Sequence, residues 1–179
     1  MIRRPILALA LCVASFGALA QSLTTAQIAT LRTNILADPA LAPKCVPVGD
    51  GTYDIAAAYS ATFSPTFTVW KGSVSIAATG SAFNGTEWAG MTSANHTRLQ
   101  TVAQYLSSYS PASADIRAMF NDIWSGAGGT ATRANLLVLW KRPANRVEKL
   151  FATGTGSDAS PATMVYEGSL SQNDALRAC

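Results

Sequence analysis

One histidine, His96, is all that this 179-residue chain offers of the side chain that carries most proton transfer near neutral pH. A Ser/His/Asp triad would have to be built on it. No Gly-x-Ser-x-Gly turn is present to expose a nucleophile, so triad hydrolysis is not expected. Charge is equally scarce, at 13% of residues against 49% hydrophobic. Ser, Thr, Asn and Gln must then cover much of the exterior, as on a surface that other subunits cover or on an exported protein. The formal charge is +3, but Arg3 and Arg4 contribute two of the thirteen basic residues, and the rest nearly balance ten acidic ones. A basic footprint for nucleic acid is therefore missing.

Only three cysteines occur, with no Cys-x-x-Cys pair and no Cys/His spacing that suits zinc, so no metal site is expected. Cys12 lies in the N-terminal leader, which leaves Cys45 and Cys179. These two are candidates for a disulfide in an oxidising compartment, and two unpaired thiols fit the spacing equally well. Beyond the leader no apolar run is long enough to suggest a membrane span.

The leader itself is legible. Residues 1–21 carry Arg3 and Arg4, an apolar run from Ile6 to Phe16, and Ala18 and Ala20 before Gln21. That is the layout of a secretory signal peptide cleaved after Ala20. The alternative is a mis-assigned N-terminal extension, with translation starting near Leu23.

Residues 22–179 read as one compact domain. Thr24 or Thr25 caps a helix with Ile28, Leu31, Ile35 and Leu36 on one face, ended by Asp38-Pro39. Residues 39–52 read as loop and 53–59 as a short helix. Phe67–Trp70 reads as a strand. Residues 72–91 are ambiguous because Gly72, Gly80, Gly85 and Gly90 weaken any helix. Helices follow over 96–109 and from Ser113, where Ile116, Met119, Phe120, Ile123 and Trp124 give the strongest amphipathic pattern. Gly126, Gly128 and Gly129 stop it. Thr130 or Thr132 caps the next helix, and Pro143 either kinks that helix or starts another. A loop over 153–161, a strand over 162–167 and a helix capped by Ser171 complete the chain. The expected class is mainly α, or α+β with a small minor sheet, with about five to seven helices.

Candidate chemistry is thin. Glu87, beside Trp88, is the carboxylate best placed to serve as an acid with a raised pKa, and an ordinary loop acid beside a core tryptophan explains it more simply. Gly126–Thr130 precedes a helix and could cradle an anion, but no lysine follows Gly129, so a tight turn between packed helices is the better reading. Gly154-Thr155-Gly156 lacks the strand–turn–helix unit of a nucleotide site. Arg133, Lys141, Arg142, Arg146 and Lys149 concentrate basic charge, with Glu148 opposing it. If helix runs through them, Arg142, Arg146 and Lys149 form one stripe that could meet an acidic partner or DNA phosphate, or simply face solvent. No cofactor or small-molecule substrate is evident.

Leu23-Thr24 through Leu36, Phe67–Trp70, Ile123-Trp124-Ser125-Gly126, Arg133, the run Glu148–Gly156, Ser160-Pro161-Ala162 and Glu167-Gly168 together form a familiar set. Over about residues 23–178, and most strongly from 120 onward, the chain resembles a family of small proteins encoded among the structural genes of tailed bacteriophages and prophages. The resemblance implies a non-enzymatic virion structural or assembly protein of the tail or head–tail connector region. It would pack against itself or neighbouring subunits, within the virion or in the host cytoplasm during assembly. It brings no catalytic residue, cofactor or metal. Contact is expected through Gly126, Gly128, Gly129, Gly154 and Gly156, with Arg142 and Arg146 beside them. The leader sits outside the resemblance and supports the alternative, a small periplasmic or secreted binding protein with Cys45 and Cys179 joined.

Overall fold

The computed structural model describes residues 21–45 and 51–179. The leader with Arg3, Arg4 and Cys12, the cleavage point after Ala20, and part of the loop expected over 39–52 lie outside the described residues. Helix α1 spans Thr25–Ala37, and a short 3-10 turn follows at Ala42–Cys45. Then come α2 (Gly51–Ser60), β1 (Thr68–Trp70), β2 (Val74–Ser75), α3 (Ile76–Ser81), α4 (Gly85–Ala89) and α5 (Ser93–Tyr105). The order continues with β3 (Ser108–Tyr109), α6 (Ala114–Ile123), a 3-10 turn at Ala127–Gly129, α7 (Thr130–Trp140) and β4 (Lys141–Pro143). It ends with α8 (Arg146–Phe151), β5 (Ala152–Thr153), β6 (Thr163–Met164) and α9 (Gln172–Ala178). The fold is mainly α, with small two-stranded sheets.

Nine α-helices are described where five to seven were expected. The two additions, α3 and α4, fill the ambiguous stretch. Each is short and starts on a side-chain cap: Ser75 accepts the Ala78 N–H, and Asn84 accepts those of Thr86 and Glu87. Local capping thus offsets the glycines that hide these helices from a periodicity count.

Three apolar clusters hold the described residues, the smallest made of Val69, Ala144 and Ala162. The first joins α1, α2, α8 and α9 around Leu31, Ile35, Ile55, Tyr59, Val147 and Tyr166. Helix α1 begins on a reciprocal Thr24–Gln27 capping box and buries Ile28, Leu31 and Ile35. Leu36, expected on the same face, is 50% exposed. Cys45 and Cys179 are joined by a disulfide. Arg32 reinforces that closure by donating to the Ala178 and Cys179 carbonyls at the end of α9. The second cluster gathers Trp70, Leu99, Tyr109, Phe120, Ile123, Trp124, Leu136 and Trp140 from α5, α6, α7 and the adjoining strands. Burying one such side chain contributes on the order of 1.5–3 kcal/mol. Inside it the Trp140 Nε1–H donates to the Tyr109 hydroxyl, which also bonds the Thr79 hydroxyl, so these polar atoms are buried satisfied.

Strand β1 gives Trp70 to the second cluster and Val69 to the smallest, and pairs antiparallel with β4, Val69 opposite Arg142 and Trp70 opposite Lys141. Pro143 was expected within or at the start of a helix, but it sits in this strand. A proline confines the preceding residue to extended backbone, so Arg142 leaves α7 as a strand and the helix ends at Trp140. The strand expected over 162–167 shortens to Thr163–Met164, paired with Ala152–Thr153. No helix among the described residues is long and apolar enough to cross a membrane.

Candidate functional site

Chain reversal at Pro143 decides where the basic residues go. The single helical stripe of Arg142, Arg146 and Lys149 does not form, because Arg142 is on β4 and the other two are on α8. Arg142 Nη1 and Nη2 donate to the two oxygens of Glu148 at 2.7 and 2.6 Å, and Nη2 also reaches Glu167 at 3.0 Å. Glu148 is only 1% exposed and accepts two backbone N–H groups besides, from Asn145 at 3.0 Å and Gly168 at 2.8 Å. Burial pushes its carboxyl pKa up, but Arg142 and the two backbone donors outweigh burial and hold it below the ordinary value. The same bonds, from Glu148 first and then Glu167, push the Arg142 guanidinium further up. This knot ties β4 and α8 to the segment after β6, so Arg142 serves the fold.

Arg146 donates to Asp38 at 2.7 Å, closing α8 onto the end of α1, and its guanidinium lies 4.5 Å over the Tyr59 ring. The bond from Arg146, then that from the Ala40 N–H, holds the Asp38 carboxyl below its ordinary value despite some desolvation. Lys149 lies 4.0 Å over the Phe63 ring. Lys141 pairs with Asp158, and Arg133 donates to the Trp124 and Gly126 carbonyls. Glu148 is therefore not the lone acid opposing this charge: Glu167, Asp38 and Asp158 share the task.

The glycines sort into two kinds. Gly126 and Gly128 are exposed, and Gly126 adopts a φ of 74°. Gly129 is buried so close to the Trp124 carbonyl that a Cβ would collide with it. Gly154 and Gly156 adopt φ values of 122° and 67°, and Gly156 lies against the Phe67 ring while its carbonyl accepts the Thr68 N–H. The helix after the first cluster is capped by neither Thr130 nor Thr132. Glu87 caps it from α4, accepting the Ala131 and Thr132 N–H groups at 2.8 and 2.7 Å. Burial pushes the Glu87 pKa up, but Thr132, Ala131 and Arg133 outweigh that and hold it below the ordinary value. The raised pKa of a proton donor is thus not present at Glu87, whose charge suits a helix N-terminus instead. His96 stands edge-on to Trp88, with ring centroids 4.5 Å apart.

Several concave features are present among the described residues, and two lie beside residues already described. An apolar groove of about 150 Å³ runs between α3, α4, α5 and α6, bounded by Ile76, Phe83, Trp88, Leu99, Val102 and Phe120. A polar cavity of about 170 Å³ is bounded by Asn34, Tyr59, Phe63, Arg146, Lys149 and Leu150. Sequence reasoning placed Arg146 and Lys149 in a basic concentration but missed Tyr59 and Phe63, which reach them only through tertiary folding. Among the described residues no group of three or more His, Cys, Asp or Glu side chains is placed to hold a metal ion. No family model, curated protein or solved structure matches the chain.

Proposed function

We propose that the chain is a structural or assembly subunit of a tailed-phage particle, in the tail or head–tail region, working without catalysis by packing against copies of itself or its neighbours. The observation that carries the proposal is the set of apolar side chains left exposed on the helices, with the apolar groove beside α5. Tyr105 at the end of α5 is 81% exposed, Val138 on α7 is 74% exposed, and the Trp88 groove lies alongside α5. Side chains of that size left in water support a face that a subunit covers, and a stable contact buries about 800 Å² per partner. The likeness of residues 23–178 to phage structural-region proteins supports the same reading. Helix α5 buries only Leu99 within the chain, which leaves most of its surface to offer.

Co-sedimentation tests this. The full chain should travel with phage particles or assembly intermediates through a density gradient. Tyr105→Ser/Val138→Ser should remain folded and lose that association. Sedimentation of the parent chain as a free monomer throughout, away from every assembly, would contradict the proposal.

A second reading is a small periplasmic or secreted binding protein whose leader is removed after Ala20, a compartment in which the Cys45–Cys179 bond would persist. Mass spectrometry of the mature N-terminus, with and without reduction, separates the two. A start at Gln21 with the bridge intact supports export, and a chain retaining its leader or starting near Leu23 with free thiols supports assembly in the cytoplasm.

A further inference from the structure

Helix α5 is the most lightly anchored of the long helices. Over its 13 residues only Leu99 is buried, whereas α1, equally long, buries Ile28, Leu31 and Ile35. Asn95 Nδ2 donates to the Ile123 carbonyl at 2.7 Å, and Arg98 meets Asp122 of α6 at 2.6 Å. Both side chains of that ion pair are largely in water, so it holds the helix weakly. The sequence adds little helix preference of its own. Thr97, Thr101 and Val102 are β-branched, and both threonine hydroxyls turn back onto carbonyls four residues earlier. No acid in the first turn and no base in the last complements the helix dipole. A helix of this length is marginal without packing. Grooves also flank it. The apolar groove of about 150 Å³ lies on the side of α3 and α4, a second of about 280 Å³ lies against Met119 and Ile123 of α6, and Val102 lines both.

We propose that α5 is a strap that opens as a unit while the rest of the fold stays in place, joining the two grooves into one apolar trough walled by Ile76, Phe83, Trp88, Met119, Phe120 and Ile123. Segments that open below the global transition are those with few buried apolar contacts, and α5 is such a segment. What it leaves behind holds together without it. Tyr109, Phe120 and Trp140 keep their mutual ring contacts, and Glu87 keeps α4 on the start of α7. Beyond its C-terminal end the chain is fixed by the pairing of β3 with β2 and by the Ile76 N–H, which donates to the Ser107 carbonyl at 3.0 Å. Opening therefore releases the helix between two held points.

Native-state hydrogen exchange of the full chain, its disulfide intact, over increasing urea tests this. The α5 amides should be protected about a hundred- to a thousandfold, roughly tenfold or more below those of α6 and α7, with a shallower dependence on urea. The apolar dye anilinonaphthalene sulfonate should lower α5 protection further as its concentration rises, because the trough is complete only when the strap is open. Thr97→Ala/Thr101→Ala, which raises helix propensity and leaves Leu99 in place, should raise α5 protection about tenfold. Leu99→Ala should leave the α5 amides nearly unprotected while those of α1 and α9 remain protected. Exchange of α5 at the free energy and urea dependence of α6 and α7, a dye that leaves α5 protection unchanged, or unchanged protection in the threonine variant would overturn the proposal.

Discussion

Arg142 and Glu148 lie six positions apart, and the guanidinium of one meets both oxygens of the other, at 2.7 and 2.6 Å. Their proximity depends on the chain leaving α7 at Trp140, running extended through Pro143, and re-entering helix at Arg146. A continuous helix would have placed them differently. The pair therefore records the reversal that takes the chain from the cluster of Trp140 to that of Val147.

Breaking this pair from the arginine side leaves a carboxylate buried without its main counter-charge. Arg142→Leu should destabilise the chain by about 2–4 kcal/mol, at or below the usual cost because the Asn145 and Gly168 donors remain. Adding Glu148→Leu should recover part of that loss. Urea unfolding of the parent, the two single variants and the double variant measures the coupling.

Acid should unfold the parent through the same carboxylate. Glu148 has a folded pKa below its unfolded value of about 4.3, so its contribution is present above that value and is lost as pH falls through the folded pKa. Asp38 and Glu87 shift in the same direction. Thermal melts should therefore show Tm falling below about pH 4, with Glu148→Gln less stable at neutral pH and flatter across the acid range. Tyr59, Tyr109 and Tyr166 carry raised pKa values, so their contribution holds below their unfolded value of about 10 and is lost at higher pH.

Much of this architecture was readable in advance, and the failures have specific causes. Helices α1 and α6 carry a cap followed by an apolar repeat, and α9 a Ser171 cap alone; Thr24, rather than the equally eligible Thr25, caps α1, and Ser113 and Ser171 cap the other two as expected. Strand β4 was hidden because Leu136, Leu139, Val147 and Leu150 keep a helical rhythm across Pro143. Pairing with β1, some seventy positions away, overrides it. Glu87 looked like an isolated acid because the N–H groups that it caps are 44 and 45 positions downstream. Arg146 met Asp38 and Tyr59 for the same reason: the contacts are tertiary, with 108 positions between Arg146 and Asp38. Gly156 was flagged as a contact residue, and its burial against Phe67 gives a structural reason for glycine there.

Glu87→Ala should lower Tm by removing the cap of α7 while leaving the far-UV spectrum helical, and Glu87→Gln should lower it less because one oxygen still accepts. A Glu87→Ala chain as stable as the parent would contradict the capping role.

Removing the covalent closure between the segment after α1 and the end of α9 frees the unfolded chain. Cys45→Ser/Cys179→Ser should cost about 2–4 kcal/mol, with the loss concentrated in α9, which hydrogen exchange resolves. Arg32→Met should add to the effect, since Arg32 holds the same helix end.

The central claim is that this chain works through the surfaces it presents within an assembled particle, and the copy number of its peptides in gradient-purified phage particles and assembly intermediates tests that most directly. Quantitative mass spectrometry should find peptides from residues 23–178 at a fixed whole-number ratio to a known particle protein. Their absence from every particle and intermediate, in cells that make the chain in quantity, would contradict the account.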